Sequence, residues 1–307
     1  MIVVIADDFT GAAELAGIGI RYGMRTEVWM GETLADQVEL LVIATDTRSM
    51  RREEAVEETL CVGRAVLKLR PEWVYKKTDS VLRGHVVSEL SALMEVLGME
   101  KTLLAPANPA LGRTISGGRY YINGVPIHET SFYNDPEFPV RSPEVREMLG
   151  GSLDERIVVG NVEAADDLYN LARSINEKTL AAGGAEFFRV LLGREEVVKE
   201  PPPEMRRPVL FVSGTAFKKS QEIKNMIAGW PREKIAAQVR QALSETTVRE
   251  LVIEGGSTAY AVLRAAGLKS FVPVEELAPG VVRMRAGEMY ITVKPGSYAW
   301  PEKLLTI

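Results

Sequence analysis

The chain is poor in the residues that staple or metallate a protein. One cysteine in 307 residues, Cys61, excludes a disulfide framework and any cysteine-based zinc site. Set inside a helix-like stretch, it reads as a small core hydrophobe. Only two histidines are present, His85 and His128. No His/Asp/Glu spacing matches a known metal-cage motif, so no metal-ligating residue is expected. No apolar run approaches the roughly 18 residues that span a bilayer, and no membrane partner is expected. Acidic residues (42) outnumber basic ones (37), and the net charge of −5 gives no nucleic-acid footprint. The opening is a short strand met at once by two acids, unlike a signal or transit sequence. A cytoplasmic location is expected.

What is present is a globular composition: 46% hydrophobic and 26% charged residues, in a chain long enough to favour two domains over one. The first 110 residues alternate short apolar strands with amphipathic helices. Strands are expected at Ile2–Ala6, Thr26–Met30, Glu39–Thr45, Trp73–Lys77 and Lys101–Ala105. Helices are expected at Ala12–Tyr22, Arg51–Leu69 and Val86–Leu97. That alternation indicates an α/β fold with a mainly parallel sheet flanked by helices. From Pro106 to Pro143 the helix pattern gives way to a Gly-, Pro- and Asn-rich stretch holding one hairpin-like passage, with Asn123-Gly124 as its turn. A loop this long is usually functional. Arg156–Val159 returns to strand and Glu163–Ala182 to helix. Lys199–Pro208 contains three consecutive prolines, which favour a stiff extended linker. Strand–helix alternation then restarts at Val209–Val212, with a helix from Lys218, a strand at Glu250–Glu254, a helix from Ser257 and a strand at Glu288–Val293. The expected division is residues 1–200, a linker at 201–208 and a second domain at 209–307.

Polar clusters follow several strand ends. Asp7 and Asp8 terminate the first strand, at the carboxyl edge where open α/β sheets bind ligands. Two bare carboxylates there cost desolvation unless paired; a polyol, a cation, a basic partner or a helix N-cap would each account for one. Asp46-Thr47-Arg48 follow the third strand. Lys76 to Ser80 with Leu82 to His85 follow the fourth, and Asn108 with Arg113-Thr114 the fifth. Parallel strands bring such tips side by side, and Arg48, Arg83 and Arg113 could each grip a carboxylate through paired hydrogen bonds. In the second domain Ser213-Gly214-Thr215, Gly255-Gly256-Ser257-Thr258 and Lys294-Pro295-Gly296-Ser297 follow strands. Glycine-freed N–H groups at a helix start suit a phosphate, and Lys294 adds a cation. Gly214–Ser220 is not a P-loop, since it lacks the second glycine. Gly17, Gly19 and Gly23 do not form a dinucleotide fingerprint.

In order, these tips resemble the four-carbon acid sugar kinases, which phosphorylate D-threonate, D-erythronate or 3-oxo-tetronate with ATP. The carriers are A-D-D-F-T-G-A at Ala6–Ala12, K-T-D-S-V-L-R-G at Lys77–Gly84 and A-P-A-N-P-A-L-G-R-T at Ala105–Thr114. They continue with N-G-V-P-I-H-E-T at Asn123–Thr130, G-G-S-T-A at Gly255–Ala259, E-L-A-P-G-V at Glu276–Val281 and K-P-G-S-Y at Lys294–Tyr298. The Lys77–Gly84 motif is nearer the threonate/erythronate form.

The resemblance implies an N-terminal sugar-acid domain, a C-terminal nucleotide domain and a ligand cleft between them. It implies that Asp8, Arg48 and the segment Asp79, Ser80, Val81, Leu82 and Arg83 hold the sugar acid. The neighbouring tip residues Lys77, Asn108 and Arg113 are candidate contacts beside them. Ser213, Gly255, Gly256, Ser257, Thr258 and Gly296 would contact ATP, which normally brings Mg²⁺. Asp7 or Asp8 is the candidate base or orienter for the attacking hydroxyl, a point the resemblance does not settle. The chain departs from the family in being shorter, between Gln221 and Leu251, and in reading K-P-G-S-Y where K-x-G-G-F-G is typical. A non-catalytic or altered-function hydroxy-acid-binding relative with a degenerate nucleotide domain is therefore the alternative, and a homodimer stays open.

Overall fold

The computed structural model describes residues 1–31, 37–135, 137–151, 154–197, 204–214, 231–296, 298–301 and 304. The expected helix from Lys218, the three linker prolines, Thr215 and Ser297 lie outside the described residues. The chain forms two compact units, Met1–Asp46 with Glu195–Ile307, and Thr47–Arg194. The first strand–helix passage thus belongs to the same unit as the C-terminal third of the chain.

In the first unit β1 (Ile2–Ala6), α1 (Phe9–Arg21), β2 (Thr26–Trp29) and β3 (Leu40–Ala44) precede the excursion into the second unit. After it come β11 (Val209–Ser213), α7 (Arg232–Glu245), β12 (Glu250–Glu254), α8 (Gly256–Ala265), β13 (Ser270–Ala278), β14 (Val281–Ala286) and β15 (Met289–Lys294). Strand order is β11-β12-β15-β14-β13-β2-β3-β1. The pairs β1/β3, β2/β3, β11/β12 and β12/β15 are parallel, while β13/β14, β14/β15 and β13/β2 are antiparallel. All five residues of β1 and of β3 are buried, as a sheet covered on both faces demands.

The second unit carries α2 (Arg52–Lys68), β4 (Trp73–Lys77), α3 (Val86–Leu97), β5 (Lys101–Ala105), β9 (Ile157–Val159), α5 (Ala165–Ala172), β10 (Thr179–Gly183) and α6 (Ala185–Leu192). Its strands run parallel in the order β4-β10-β5-β9. A small antiparallel sheet, β6 (Arg113–Ser116), β7 (Arg119–Ile122) and β8 (Val125–Pro126), and the short helix α4 (Val145–Met148) occupy the long loop. Asn123 and Gly124 both take positive φ, 51° and 78°, as a two-residue hairpin turn of the expected kind requires.

Three expectations need correction. The helix expected across Glu163–Ala182 is α5 alone, followed by the strand β10. Thr-Leu-Ala-Ala has no polar alternation and its alanines favour helix, but burial between β4 and β5 makes it a strand. At its end a Cβ on Gly183 would lie 2.1 Å from Ala105 O, so only glycine closes the β10–β5 edge. The strands β13 and β14 were not expected, because their acids, arginines and Pro273 mask the two-residue period; a register shift follows Pro273. Cys61 is exposed rather than core. The buried positions of α2 are Ala55, Thr59, Gly63 and Val66, a stripe that Cys61 misses.

In the middle of the first unit's sheet, Arg283 on β14 is fully buried and pairs with the equally buried Glu250 on β12. Glu250 also accepts from Arg206 N at 3.0 Å, and the guanidinium stacks 4.2 Å from the Tyr290 ring centroid. Removing one partner of such a pair strands a buried charge. Arg283→Met should therefore cost about 3–5 kcal/mol in urea unfolding, and a loss under 1 kcal/mol would show that the pair carries no such weight.

Candidate functional site

In the first unit, β1 ends at Ala6 and the chain turns through Asp7 and Asp8 into α1. Asp8 is the N-cap: its Oδ1 accepts from Gly11 N at 2.9 Å, the bond that satisfies an orphan helical donor. Its Oδ2 accepts from the Thr10 hydroxyl at 2.5 Å. Both acids are buried. The side chain so held lies against the start of α8. A Cβ added to Gly256 would sit 2.5 Å from Asp8 Oδ2 and 3.0 Å from Thr10 Oγ1, so the bare α-carbon is what admits the carboxylate. The anion meets a helix N-terminus, where the backbone dipoles favour negative charge.

The three glycine-bearing tips come together because their strands are in parallel register: Ser213 pairs with Glu254 and Glu254 with Lys294. Ser213 Oγ donates to Glu254 Oε2 at 2.7 Å, and Lys294 Nζ lies 3.0 Å from Glu254 Oε1. The same ammonium donates to Pro295 O and Tyr298 O, each at 2.7 Å. Lys294 is thus committed to holding the tips rather than standing out as the cation expected from sequence. Burial pushes its ammonium below the usual lysine range, against the opposing pull of Glu254. Gly255 takes φ +99°, and a Cβ on Gly214 would fall 1.9 Å from Thr258 Oγ1. Ser257 and Thr258 open α8, and Gly296 closes the turn after β15.

In the second unit the segment after β4 is organised by Asp79. Arg83 grips it with two parallel bonds, Nε to Oδ2 at 2.8 Å and Nη2 to Oδ1 at 2.9 Å. The backbone N–H groups of Val81 and Arg83 donate to the same carboxylate at 3.3 and 3.2 Å, and Arg48 Nη1 stands 3.6 Å away. Leu82, at φ +63°, makes the turn that brings Arg83 back. The third donor of Arg83, Nη1, reaches Asp135 Oδ2 at 3.0 Å. Burial alone would push the Asp79 carboxyl up, but the guanidinium groups of Arg83 and Arg48 outweigh it and hold the carboxyl far below the usual range.

Arg113 Nη1 bonds Ser80 Oγ, and Tyr120 donates from its hydroxyl to Ser80 O at 2.6 Å. Lys77 Nζ donates to Thr78 O at 3.0 Å. Asn108 caps the 3₁₀ turn Pro109–Leu111 through Leu111 N. His85 Nε2 bonds Met50 O at 2.7 Å, and His128 lies 3.7 Å from Glu129. Four contributors escaped the sequence reading: Thr10, Glu254, Asp135 and Glu89, the last pairing with Lys76 Nζ at 2.5 Å. Only Thr10 had a local signal, its place two residues after a capping acid.

A strand-tip acid pair, an arginine-clamped polar segment and glycine turns at a helix start all stand at or just beyond the carboxyl ends of parallel strands, where α/β folds present ligands. Of the family models, a sugar-binding N-terminal domain matches residues 2–186 and a nucleotide-binding C-terminal domain residues 204–298. The chain belongs to the four-carbon acid sugar kinase family. It is 34% identical to the D-threonate kinase of Salmonella typhimurium over 81% of this chain and 66% of that one. It is 32% identical to the 3-oxo-tetronate kinase of Brucella melitensis over 56% and 42%, and 31% identical to the D-erythronate kinase of Heliobacterium modesticaldum over 48% and 35%. The matches thus span two-thirds or less of those relatives. Among solved structures, a Haemophilus influenzae protein shares the fold (TM-score 0.74, 19% identity, 98% of each chain). So does a Bordetella bronchiseptica protein crystallised with citrate as a domain-swapped dimer (TM-score 0.55, 20% identity, 99% and 96%). Among the described residues no helix is long and apolar enough to cross a membrane.

Two outcomes follow from this geometry. Because its folded-state value lies below that of a free carboxyl, Asp79 adds stability in full above the unfolded value of about 3.9. That stability drains as pH falls below this value and through the folded one. In urea titrations the gap between wild type and Asp79→Asn should be widest near neutrality and shrink from pH 5 to pH 2; a constant gap would contradict it. Gly256→Ala should lower the melting temperature, because the new methyl displaces the buried Asp8 carboxylate and the Thr10 hydroxyl. An unchanged melting temperature would show that the contact is without consequence.

Proposed function

We propose that the protein transfers a phosphoryl group from ATP to a hydroxyl of a four-carbon sugar acid of the threonate or erythronate type. The observation that carries this reading is the contact of Asp8 and Thr10, from the acid-side motif, with Gly256, from the nucleotide-side motif, inside one compact unit. Phosphoryl transfer is a matter of positioning and charge relief, and this contact gives the acceptor-side carboxylate a fixed distance from the donor-side helix. The kinase names of the relatives support the same reaction class.

In this reading residues 1–200 bind the acid and 209–307 the nucleotide, joined by the linker at 201–208. Asp8, with Asp7 beside it, orients the attacking hydroxyl and accepts its proton as the new O–P bond forms and the β–γ bridge breaks. Arg48 and the Asp79–Arg83 segment, with Lys77, Asn108 and Arg113 near it, recognise the acid. Since Arg83 already spends three donors on Asp79 and Asp135, its work is to shape the segment. Ser213, the Gly255–Thr258 turn and Gly296 contact ATP, its phosphates facing the α8 N-terminus.

The donor set suits Mg²⁺ arriving with ATP. Among the described residues there is no group of three or more His, Cys, Asp or Glu that could cage a metal, whereas Mg²⁺ needs only one or two carboxylates besides phosphates and waters. Asp7 and Asp8 would supply that number. The ion's contribution when bound is to neutralise charge on the transferring phosphates.

The test is release of ADP from Mg-ATP in the presence of D-threonate, D-erythronate and 3-oxo-tetronate in turn, with calorimetry of each acid alone. Acid-dependent ADP release from one of them is the expected result. Binding of an acid with no ADP release from any would favour the second reading, a hydroxy-acid-binding relative, to which the shorter match with the curated kinases already gives some weight.

A further inference from the structure

We propose that Thr10 is a positioning residue for phosphoryl transfer, its hydroxyl locking the Asp8 carboxylate in one orientation against the first turn of α8. The inference rests on the kinase reading above and deepens it.

N-capping alone uses a single oxygen. Asp8 Oδ1 accepts from Gly11 N and so completes the cap of α1. An exposed cap would leave its second oxygen to water, but Asp8 is 6% and Thr10 8% exposed. The Thr10 hydroxyl takes that place at 2.5 Å. This is not the ordinary use of a helical threonine, whose hydroxyl bonds a carbonyl three or four residues earlier. A carboxylate held at both oxygens cannot turn about its Cβ–Cγ bond without breaking one of the two bonds.

The same two atoms are the ones that approach Gly256. The missing Cβ of that glycine would lie 2.5 Å from Asp8 Oδ2, 3.0 Å from Thr10 Oγ1 and 3.4 Å from Asp8 Cγ. Carboxylate and hydroxyl therefore pack as a pair on a turn inside the stretch that matches the nucleotide-binding domain. The locked oxygen, Oδ2, is the one facing that turn, while the cap oxygen serves α1. Thr10 thereby separates two duties of one side chain: Oδ1 keeps the helix, and Oδ2 keeps the spacing between acceptor and donor. An orienting base must be held to within a fraction of an ångström, and Thr10 supplies the second point of attachment.

The experiment compares wild type with Thr10→Val, which keeps the shape and loses the donor, and Thr10→Ser, which restores the donor. Thermal unfolding and ATP calorimetry are run beside steady-state kinetics with the acid that the wild type accepts. Thr10→Val should lower kcat by about 10- to 100-fold with KM for ATP changed by no more than about twofold. Thr10→Ser should recover kcat to within about threefold of wild type. Should the valine variant not fold, Thr10→Ala, a good helix former, takes its place with the same expectation. Wild-type kcat in the donor-less variant would overturn the inference while leaving the kinase reading intact. So would a serine variant as impaired as valine, with kcat and Tm falling and both KM values rising together, since that pattern marks a merely structural role. A folded wild type that releases no ADP with any acid would overturn the kinase reading, and this inference with it.

Discussion

The first unit depends on the placement of one carboxylate. Asp8 caps α1 through one oxygen and meets the start of α8 through the other, so a single side chain couples the chain's first helix to a helix almost 250 residues later in sequence. Burying a carboxylate is costly unless its lone pairs are satisfied. Here a backbone N–H, a hydroxyl and a helix N-terminus satisfy it. The requirement then propagates. Gly256 must lack a side chain, Thr10 must carry a hydroxyl, and the β1 tip must stop where it does.

The same economy recurs at the other buried charges. Glu254 with Lys294 ties three strand tips, Asp79 with Arg83 and Asp135 ties a strand tip to the long loop, and Lys76 with Glu89 ties β4 to α3. Replacing such pairs by apolar residues often leaves stability unchanged or raises it. Their common feature is location: each stands at or next to the carboxyl end of a parallel strand, where the α/β fold presents ligands. Charge there fixes backbone tips in register, which a greasy contact would do with less angular definition. Arg283 with Glu250 is the exception: Glu250 is the first residue of β12, at the amino end of a parallel strand.

Much of the architecture was legible because the parallel strands are short, continuous apolar runs that end in polar residues. β1, β4, β5 and β12 begin and end where the sequence pattern puts them. β10 was illegible for the opposite reason: Thr-Leu-Ala-Ala carries no periodicity, and only its neighbours β4 and β5 make it a strand. β13 and β14 were hidden by charges that face partners distant in sequence, such as Glu276 pairing with Arg21. At the site, the motifs named the segments but not the roles. Arginine in a motif reads as a clamp for a ligand's carboxylate, yet Arg83 clamps the protein's own Asp79 and Asp135. Asp79 lies four positions before Arg83, but Asp135, which takes the remaining donor, lies 52 positions on and leaves no local signal.

The kinase reading carries an electrostatic demand that the fold meets in a particular way. Acid substrate, nucleotide phosphates and Asp8 are all negative, and bringing them together is unfavourable in a dry site. Lys294, the cation the sequence placed at the phosphate tips, is committed to Glu254 and two carbonyls. Beside Mg²⁺, charge relief in that reading falls to the fixed dipoles at the start of α8, since the Gly255 N–H already donates to Lys294 O at 2.9 Å. Fixed dipoles need no reorganisation as charge moves between oxygens, whereas a mobile lysine would have to follow it. That explains why Lys294 and Glu254 are spent on geometry. Their bond fixes the strand tip from which α8 starts, and in the kinase reading the α8 dipoles face the phosphate.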